Sequence, residues 1–397
     1  EAAWRAWISR GEHEGPTDNR PIAAEMVALR AERAQLLGYE NFADYRLDDT
    51  MAKTPKAALD LLHSVWTPAV QKAAREQEAL QAIVQGEGGN FETAPWDWRY
   101  YAEKRRKAEF DLDESEIKPY LQLDRMIEAA FDTAGELFGL KFTPRSDIPV
   151  YHPDVRTWEV TDADGRHVGI FLGDYFARPS KRSGAWMSSY RTQEKLAGDI
   201  RPIIVNVMNF AKAAEGPSLL SFDDARTLFH EFGHGLHGLL SNVTYPLLAG
   251  TNVSADFVEL PSQLLEHWLE RPEVLRRFAV HYQTGKPMPD ALIARVLKST
   301  KFNQGFASVE YVSSALVDLD LHAAKAGQAI DITSFEKASL DKIGMPKAIV
   351  MRHRLPHFSH LFAGDHYAAG YYSYLWAEVL AADAFHAFEE KGDIFDA

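Results

Sequence analysis

The stretch Ser221-Phe-Asp-Asp-Ala-Arg-Thr-Leu-Phe-His230-Glu-Phe-Gly-His-Gly-Leu-His237 decides how the rest of the chain is read. Ser221 and Asp224 have the spacing of a capping box, so a helix is expected to begin just after Ser221. On a helix, residues four apart project from one face, which lets the imidazoles of His230 and His234 reach one zinc ion. Glu231 then lies beside the open coordination position, the arrangement used in metal-assisted peptide hydrolysis. The plain alternative is a helix that happens to carry two histidines.

A catalytic zinc needs a third protein ligand and a position left for water. A second pattern of helical zinc sites would require Gly at 237 and His at 240; this chain has His237 and Leu240. The third ligand is therefore expected to be a carboxylate from a following helix. In Ser254-Ala-Asp-Phe-Val-Glu-Leu-Pro-Ser-Gln, Glu259 stands between Val258 and Leu260. A carboxylate in so apolar a stretch needs a cation to offset its desolvation. Glu266, two turns on, can accept a hydrogen bond from the second nitrogen of a metal-binding histidine. His237 is read as packing or supporting the site, and Asp256 as a helix cap.

Composition narrows the classes. The 397 residues carry a net charge of −14, which argues against a protein that coats nucleic-acid phosphates. Without cysteine there is no thiolate nucleophile and no Cys-type metal site. No apolar run has the length of a membrane span. The opening residues lack the pattern of a signal peptide, and the chain starts at Glu1 without methionine, so it is expected to be a fragment.

Around the decisive helix, the chain divides by pattern. A helical region is expected over 1–145, a small β-sheet region over 146–215 and a helical zinc-binding region over 216–397. Pro21 opens a helix that runs to Gly38. Thr54 and Pro55 open one that ends by Gly86, with Pro68 kinking or splitting it, and a third ends near Gly139. The basic run at 102–107 reads as a solvated helix face. Trp158-Glu-Val-Thr and His167-Val-Gly-Ile-Phe-Leu flank Asp164-Gly165 as a hairpin, and 201–210 reads as a further strand, with an edge to which an extended peptide could pair.

Near the C-terminus, Tyr367, Tyr371 and Tyr374 follow i, i+4, i+7, which predicts three phenols along one helical stripe. Such phenols either pack in a core or donate hydrogen bonds to an oxyanion, and His360 would add a donor. Gly364 and Gly370 bracket a stretch that is expected to flex over a bound peptide.

Together, the segment around His230, the stretch Gly250-Thr-Asn-Val-Ser-Ala-Asp-Phe-Val-Glu-Leu-Pro-Ser-Gln-Leu-Leu-Glu-His-Trp and the Tyr-Tyr-x-Tyr-Leu-Trp segment resemble the thimet oligopeptidase family of zinc metallopeptidases. Leu36-Leu-Gly-Tyr-Glu-Asn-Phe-Ala, Pro95-Trp-Asp-Trp-Arg-Tyr-Tyr and Arg182-Ser-Gly-Ala-Trp-Met extend the likeness over nearly the whole chain. The resemblance implies a mainly α fold, a helical ellipsoid of the gluzincin type with a deep substrate channel and a small β-sheet near the active site. It implies one Zn²⁺ held by His230, His234 and Glu259, with Glu231 as general base. His360, Tyr371 and Tyr374 are implied as catalytic contacts, and Tyr367 and Gly364 as substrate contacts.

The implied partners are short unstructured peptides, with neither nucleic acid nor membrane, and missing N- or C-terminal pieces of the same enzyme. The expected activity is release of C-terminal dipeptides, a peptidyl-dipeptidase. The alternatives are an oligopeptidase-type endopeptidase and a non-catalytic zinc-containing peptide-binding protein. Dipeptide release needs a cation for the substrate carboxylate, for which Arg352, Arg354, Lys181 and Arg182 are candidates, Arg354 foremost. A cytoplasmic location is favoured over a periplasmic one. Where relatives carry consecutive glycines, this chain has Ala363-Gly364-Asp365-His366.

Overall fold

Proline and glycine punctuation sets the helices of the first third in the computed structural model, which describes residues 1–396. The helices used below are α1 (Arg20–Leu36), α2 (Pro55–Gly86), α3 (Trp98–Phe110), α4 (Leu123–Phe138), α5 (Phe222–Leu239), α6 (Leu260–Leu269), α7 (Gln304–His322) and α8 (Ser373–Lys391). Thr54 caps α2 through its side chain, and Gly139 ends α4 in the left-handed region at φ 67°. Helix α2 is not split at Pro68. That proline lies on the exposed face, where water can reach the freed carbonyl of Ser64, while the buried stripe Leu62, Trp66, Ala69 and Ala73 runs on unbroken.

Packing groups the chain into two compact units built from discontinuous segments, a grouping different from the consecutive regions drawn by element type. One comprises 1–111, 254–256 and 298–376; the other comprises 112–253, 257–297 and residues from 377 on.

The first unit is helical. Its core includes Val27, Phe42, Leu62, Trp98, Val309, Leu316 and Phe358. Helix α7 docks closely on α2: a Cβ on Gly305 would lie 2.5 Å from the backbone nitrogen of Ala73. The buried Glu76 carboxylate accepts the Gly305 and Phe306 N–H groups at 3.0 and 2.8 Å, satisfying the first orphan donors of α7. The basic side of α3 forms ion pairs along or near its surface, including Arg106 with Glu103 and Lys104 with Glu87.

The second unit holds a five-stranded sheet, β1 (Lys141–Pro144), β2 (Arg156–Thr161), β3 (His167–Phe176), β4 (Trp186–Arg191) and β5 (Ile203–Phe210), in the order β1-β2-β3-β5-β4. The β2–β3 hairpin turns at Gly165, φ 79°. Strand β5 is interior, parallel to β3 and antiparallel to β4, so both its edges are taken and it cannot receive a peptide. Strand β4, with exposed Ser188, Ser189, Tyr190 and Arg191, is the edge on that side of the sheet, and β1 is the other edge. Phe131, Phe142, Trp158, Phe171 and Phe232 interlock between α4, the sheet and α5, with Phe131 stacked on Phe142 at 4.0 Å.

Glycines let α5 approach its neighbours. A Cβ on Gly238 would meet Met187 Cε at 2.6 Å and Ile204 Cδ1 at 2.7 Å on the sheet side. On Gly233 it would meet Pro261 O at 2.5 Å and Ser262 Cα at 2.6 Å in α6. Gly233, between the two histidines, and Gly238, just past His237, thus seat the helix. Among the described residues, no helix is long and apolar enough to cross a membrane.

Candidate metal centre

Ser221 and Asp224 form a reciprocal capping box at the start of α5, which fixes the register of the residues that follow. Two and three turns later, His230 and His234 point toward the residue just before α6, Glu259, which is 1% exposed. Glu259 Oε2 lies 3.2 Å from His230 Nε2 and 3.1 Å from His234 Nε2. Donor atoms of the three residues lie within 4.8 Å of one another. Glu266, on α6, meets His230 Nδ1 through Oε1 at 2.7 Å.

The donor set fits a divalent ion. Ligand atoms about 2.0–2.2 Å from a tetrahedral zinc stand roughly 3.3 Å apart, close to the separations between Glu259 and the two imidazoles. Glu259 is too deeply buried to be left without a cation. His230 faces a carboxylate at each nitrogen, so it must either be doubly protonated or give one nitrogen to a metal while the other donates to Glu266.

Without an ion, protons take up this load. Burial opposes a charged His230, but its hydrogen bonds to Glu259 and Glu266 outweigh burial and hold it well above the ordinary imidazole range. Burial also pushes Glu259 up, and its bonds to the two imidazoles reverse this and bring it well below the ordinary carboxylate range. Glu231 is different. Burial raises its pKa, the nearby Glu259 and Glu266 add to the rise, and the two histidines only partly offset it. Its Oε2 is buried with no hydrogen-bond partner. A carboxyl held in that state can take and return a proton.

Two supporting residues escaped the sequence reading. Ser262 is buried and donates through Oγ to Glu259 Oε2 at 3.1 Å and to the Glu259 carbonyl at 2.8 Å. Arg226 reaches Glu270 at 2.7 Å and lies 3.9 Å from Glu266. Their spacing was a usable signal: Ser262 is three residues past Glu259, and Arg226 is four residues ahead of His230. His237 stays out of the donor set and lines an apolar cavity of about 490 Å³ with Leu236, Leu240, Leu264 and Trp268. Burial lowers its pKa.

The C-terminal candidates assemble in the other unit. Tyr367 and Tyr371 lie in consecutive turns, and only Tyr374 is helical, in the first turn of α8, so the three do not form a helical stripe. The turn still gathers the rings: Tyr367 stacks on Tyr374 at 5.4 Å, and His360 stands 5.1 Å from Tyr371 and 5.7 Å from Tyr367. The stretch holding Gly364 is anchored, not loose. Asp365 pairs with Arg30 and Arg33 at 2.8 and 2.7 Å, and Arg46 donates to the His366 carbonyl.

Asp256 is not a helix cap. Fully buried, it accepts from Met51 N and Ala52 N at 2.9 Å each and from Tyr372 Oη at 2.9 Å. Nor is Arg354 available for a substrate carboxylate, because Glu12 and Glu336 both bind its guanidinium. Lys181 is likewise consumed, its Nζ donating to the carbonyls of Asp174, Phe176 and Met208. Arg182 lies over the Trp186 ring at 4.7 Å.

Known peptidases resemble this chain over nearly its whole length. The chain is 45% identical to dipeptidyl carboxypeptidase of Escherichia coli (strain K12) over 99% of its own length and 58% of that relative. It is 43% identical to the protein of the same name from Salmonella typhimurium, again over 99% of this chain and 58% of the relative. It is 38% identical to Oligopeptidase A of E. coli, over 99% of this chain and 59% of the relative. The chain thus spans somewhat under two thirds of the curated relatives it matches. The model of Peptidase family M3, a family of metallopeptidases, matches residues 1–397, so a chain whose helices bring two histidines and a buried glutamate together belongs to Peptidase family M3.

Proposed function

We propose that this chain carries the zinc site of an enzyme that hydrolyses short peptides and releases dipeptides from their C-termini. The observation that carries the reading is the convergence of His230, His234 and Glu259 beside the buried, partnerless oxygen of Glu231. His230, His234 and Glu259 would hold the ion. When bound, zinc supplies Lewis acidity toward a water molecule and a peptide carbonyl.

The chain's own groups do the rest. Glu231 takes the proton of the attacking water and passes it to the departing amine. Glu266 accepts from His230 Nδ1, which leaves Nε2 with its lone pair as a donor atom. Ser262 fixes one oxygen of Glu259. The outer edge of β4 is suited to main-chain pairing with an extended peptide, which gives affinity with little sequence preference. His360, Tyr367, Tyr371 and Tyr374 are proposed to donate hydrogen bonds to substrate or to the oxyanion. A cytoplasmic location belongs to the same reading; recovery of the activity in the periplasmic fraction would overturn it.

Glu231→Gln tests the central step. Peptide hydrolysis should fall about 10²–10⁴-fold while the ion remains bound, as read by metal content. Retained activity refutes the base assignment.

An endopeptidase reading is favoured by one observation, the engagement of Arg354 and Lys181 in internal pairs. A peptide and its C-terminally amidated twin separate the two. Loss of cleavage in the amide supports dipeptide release, and equal cleavage supports the endopeptidase.

A further inference from the structure

Helix α7 turns one face toward the segment that carries the tyrosines. Tyr311, Asp318 and His322, at spacings of seven and four, lie along that face. Tyr311 Oη donates to the Tyr371 carbonyl at 2.7 Å and accepts from Leu375 N at 3.1 Å. The Asp318 carboxylate, fully buried, accepts from Ala369 N through Oδ1 and from Tyr371 N through Oδ2, each at 2.9 Å.

Between those two N–H groups the backbone is strained. Ala369 has φ +55°, a left-handed conformation that is unfavourable for a residue with a Cβ, and it is completely buried. A strained turn persists only where its surroundings over-determine it. Here the surroundings are one carboxylate that grips the turn on both sides of Gly370.

The carboxylate is itself held by a relay. His322 Nδ1 lies 2.8 Å from Asp318 Oδ1, and His322 Nε2 lies 3.1 Å from Arg30 Nη1. A guanidinium has no acceptor, so Nε2 must accept and Nδ1 must carry the hydrogen that His322 donates to Asp318. Arg30 continues to the other end of the same segment, donating to the Leu361 and Gly364 carbonyls at 2.6 and 3.0 Å and to Asp365. One chain of charge-assisted bonds, Arg30 to His322 to Asp318, therefore ties down both flanks of residues 361–371.

We infer that Asp318, His322 and Arg30 are positioning residues, whose relay holds residues 361–371 in the backbone arrangement that presets the phenols of Tyr367 and Tyr371 for substrate. The inference rests on the reading of those tyrosines as substrate contacts. It explains how the turn before Gly370 can keep a left-handed alanine, and why Asp365 stands where Arg30 and Arg33 converge.

The test is a double-mutant cycle on the complete protein with an internally quenched short peptide, measuring kcat and KM, with metal content as a control. Tyr371→Phe and Asp318→Asn are each expected to lower kcat/KM at least tenfold with full metal occupancy. Together they should cost little more than either alone, because a phenol that is no longer placed has nothing left to lose. Ala369→Gly in the Asp318→Asn background should recover part of the loss, since glycine takes φ +55° without strain. If Asp318→Asn does not fold, His322→Asn is read the same way; it keeps a donor toward Asp318 and breaks the link to Arg30. Multiplying effects with no glycine rescue would overturn the positioning role and leave the tyrosine reading standing. Silent Tyr367→Phe and Tyr371→Phe in the parent protein would overturn both.

Discussion

Gly233→Ala should weaken metal binding without touching a ligand. The added Cβ would stand 2.5 Å from Pro261 O and 2.6 Å from Ser262 Cα, roughly 0.8–0.9 Å inside ordinary contact. Both obstacles are backbone atoms of α6, so no side-chain rotation relieves them; α5 and α6 must separate. Overpacking of this kind costs about 1–3 kcal/mol, partly offset by the ~1 kcal/mol helix preference of alanine over glycine. The net loss of stability should be about 0–2 kcal/mol. The larger effect falls on the ion. Glu259 stands immediately before α6, and its oxygen must stay within about 0.2 Å of its place for good coordination. A shift several times larger should reduce affinity about 10–100-fold, as changes around metal ligands do. Competition with a chromophoric chelator measures the affinity, and thermal unfolding of the chelated protein measures the packing cost. Gly235→Ala is the control, because its nearest contacts, Asn206 Oδ1 at 3.2 Å and Phe171 Cε2 at 3.3 Å, need only a few tenths of an ångström of adjustment. Equal affinities for the Gly233→Ala and parent proteins would refute the claim that close helix approach sets the site.

Removing the ion should make stability depend on pH in a direction fixed by His230 and Glu259. The His230 pKa is raised in the folded state, so its contribution is complete below the ordinary value of 6.5 and is lost as pH rises through the raised value. The Glu259 pKa is lowered, so its contribution is present above the ordinary value of 4.5 and is lost as pH falls through the lowered one. The chelated protein should therefore melt at the highest temperature between these two ordinary values and decline on the alkaline side. Melting curves in EDTA from roughly pH 5 to pH 9 check this, and a melting temperature that climbs over that range would contradict it. Arg354→Ala should destabilise by about 2–4 kcal/mol, because it leaves the buried Glu336 carboxylate facing Leu355 N without its cation. Chemical denaturation measures the loss, and a change below about 0.5 kcal/mol would mean that Arg354 is not structurally engaged.

What could be read from the sequence was set within a turn or two of the chain. The capping box at Ser221, the shared face of His230 and His234, and the short step from Glu259 to Glu266 are all local spacings, and the fold preserves them. Misreadings arose where a partner lay far away in sequence. Residues 203–210 have the composition of a strand, but alternation along a strand says nothing about whether one or two neighbours pair with it. The tyrosine spacing matches helical periodicity, yet Asp318, some 50 residues earlier, holds the turn that prevents it. Asp256 sits where a cap is expected, and its partners Met51 and Ala52 come from about 205 residues upstream. Arg354 shows the consequence for function most directly. As a residue type it suits a substrate carboxylate, but Glu12 and Glu336 meet that need within the fold. A charged residue is therefore informative about substrate only after the fold's own demand for charge has been subtracted. The buried carboxylates of Glu76, Asp256, Asp318 and Glu336 show that this demand is large in the helical unit. In the unit that holds the sheet, Glu231 stands out by the same criterion, since it is buried beside charges with an oxygen that no protein group has claimed.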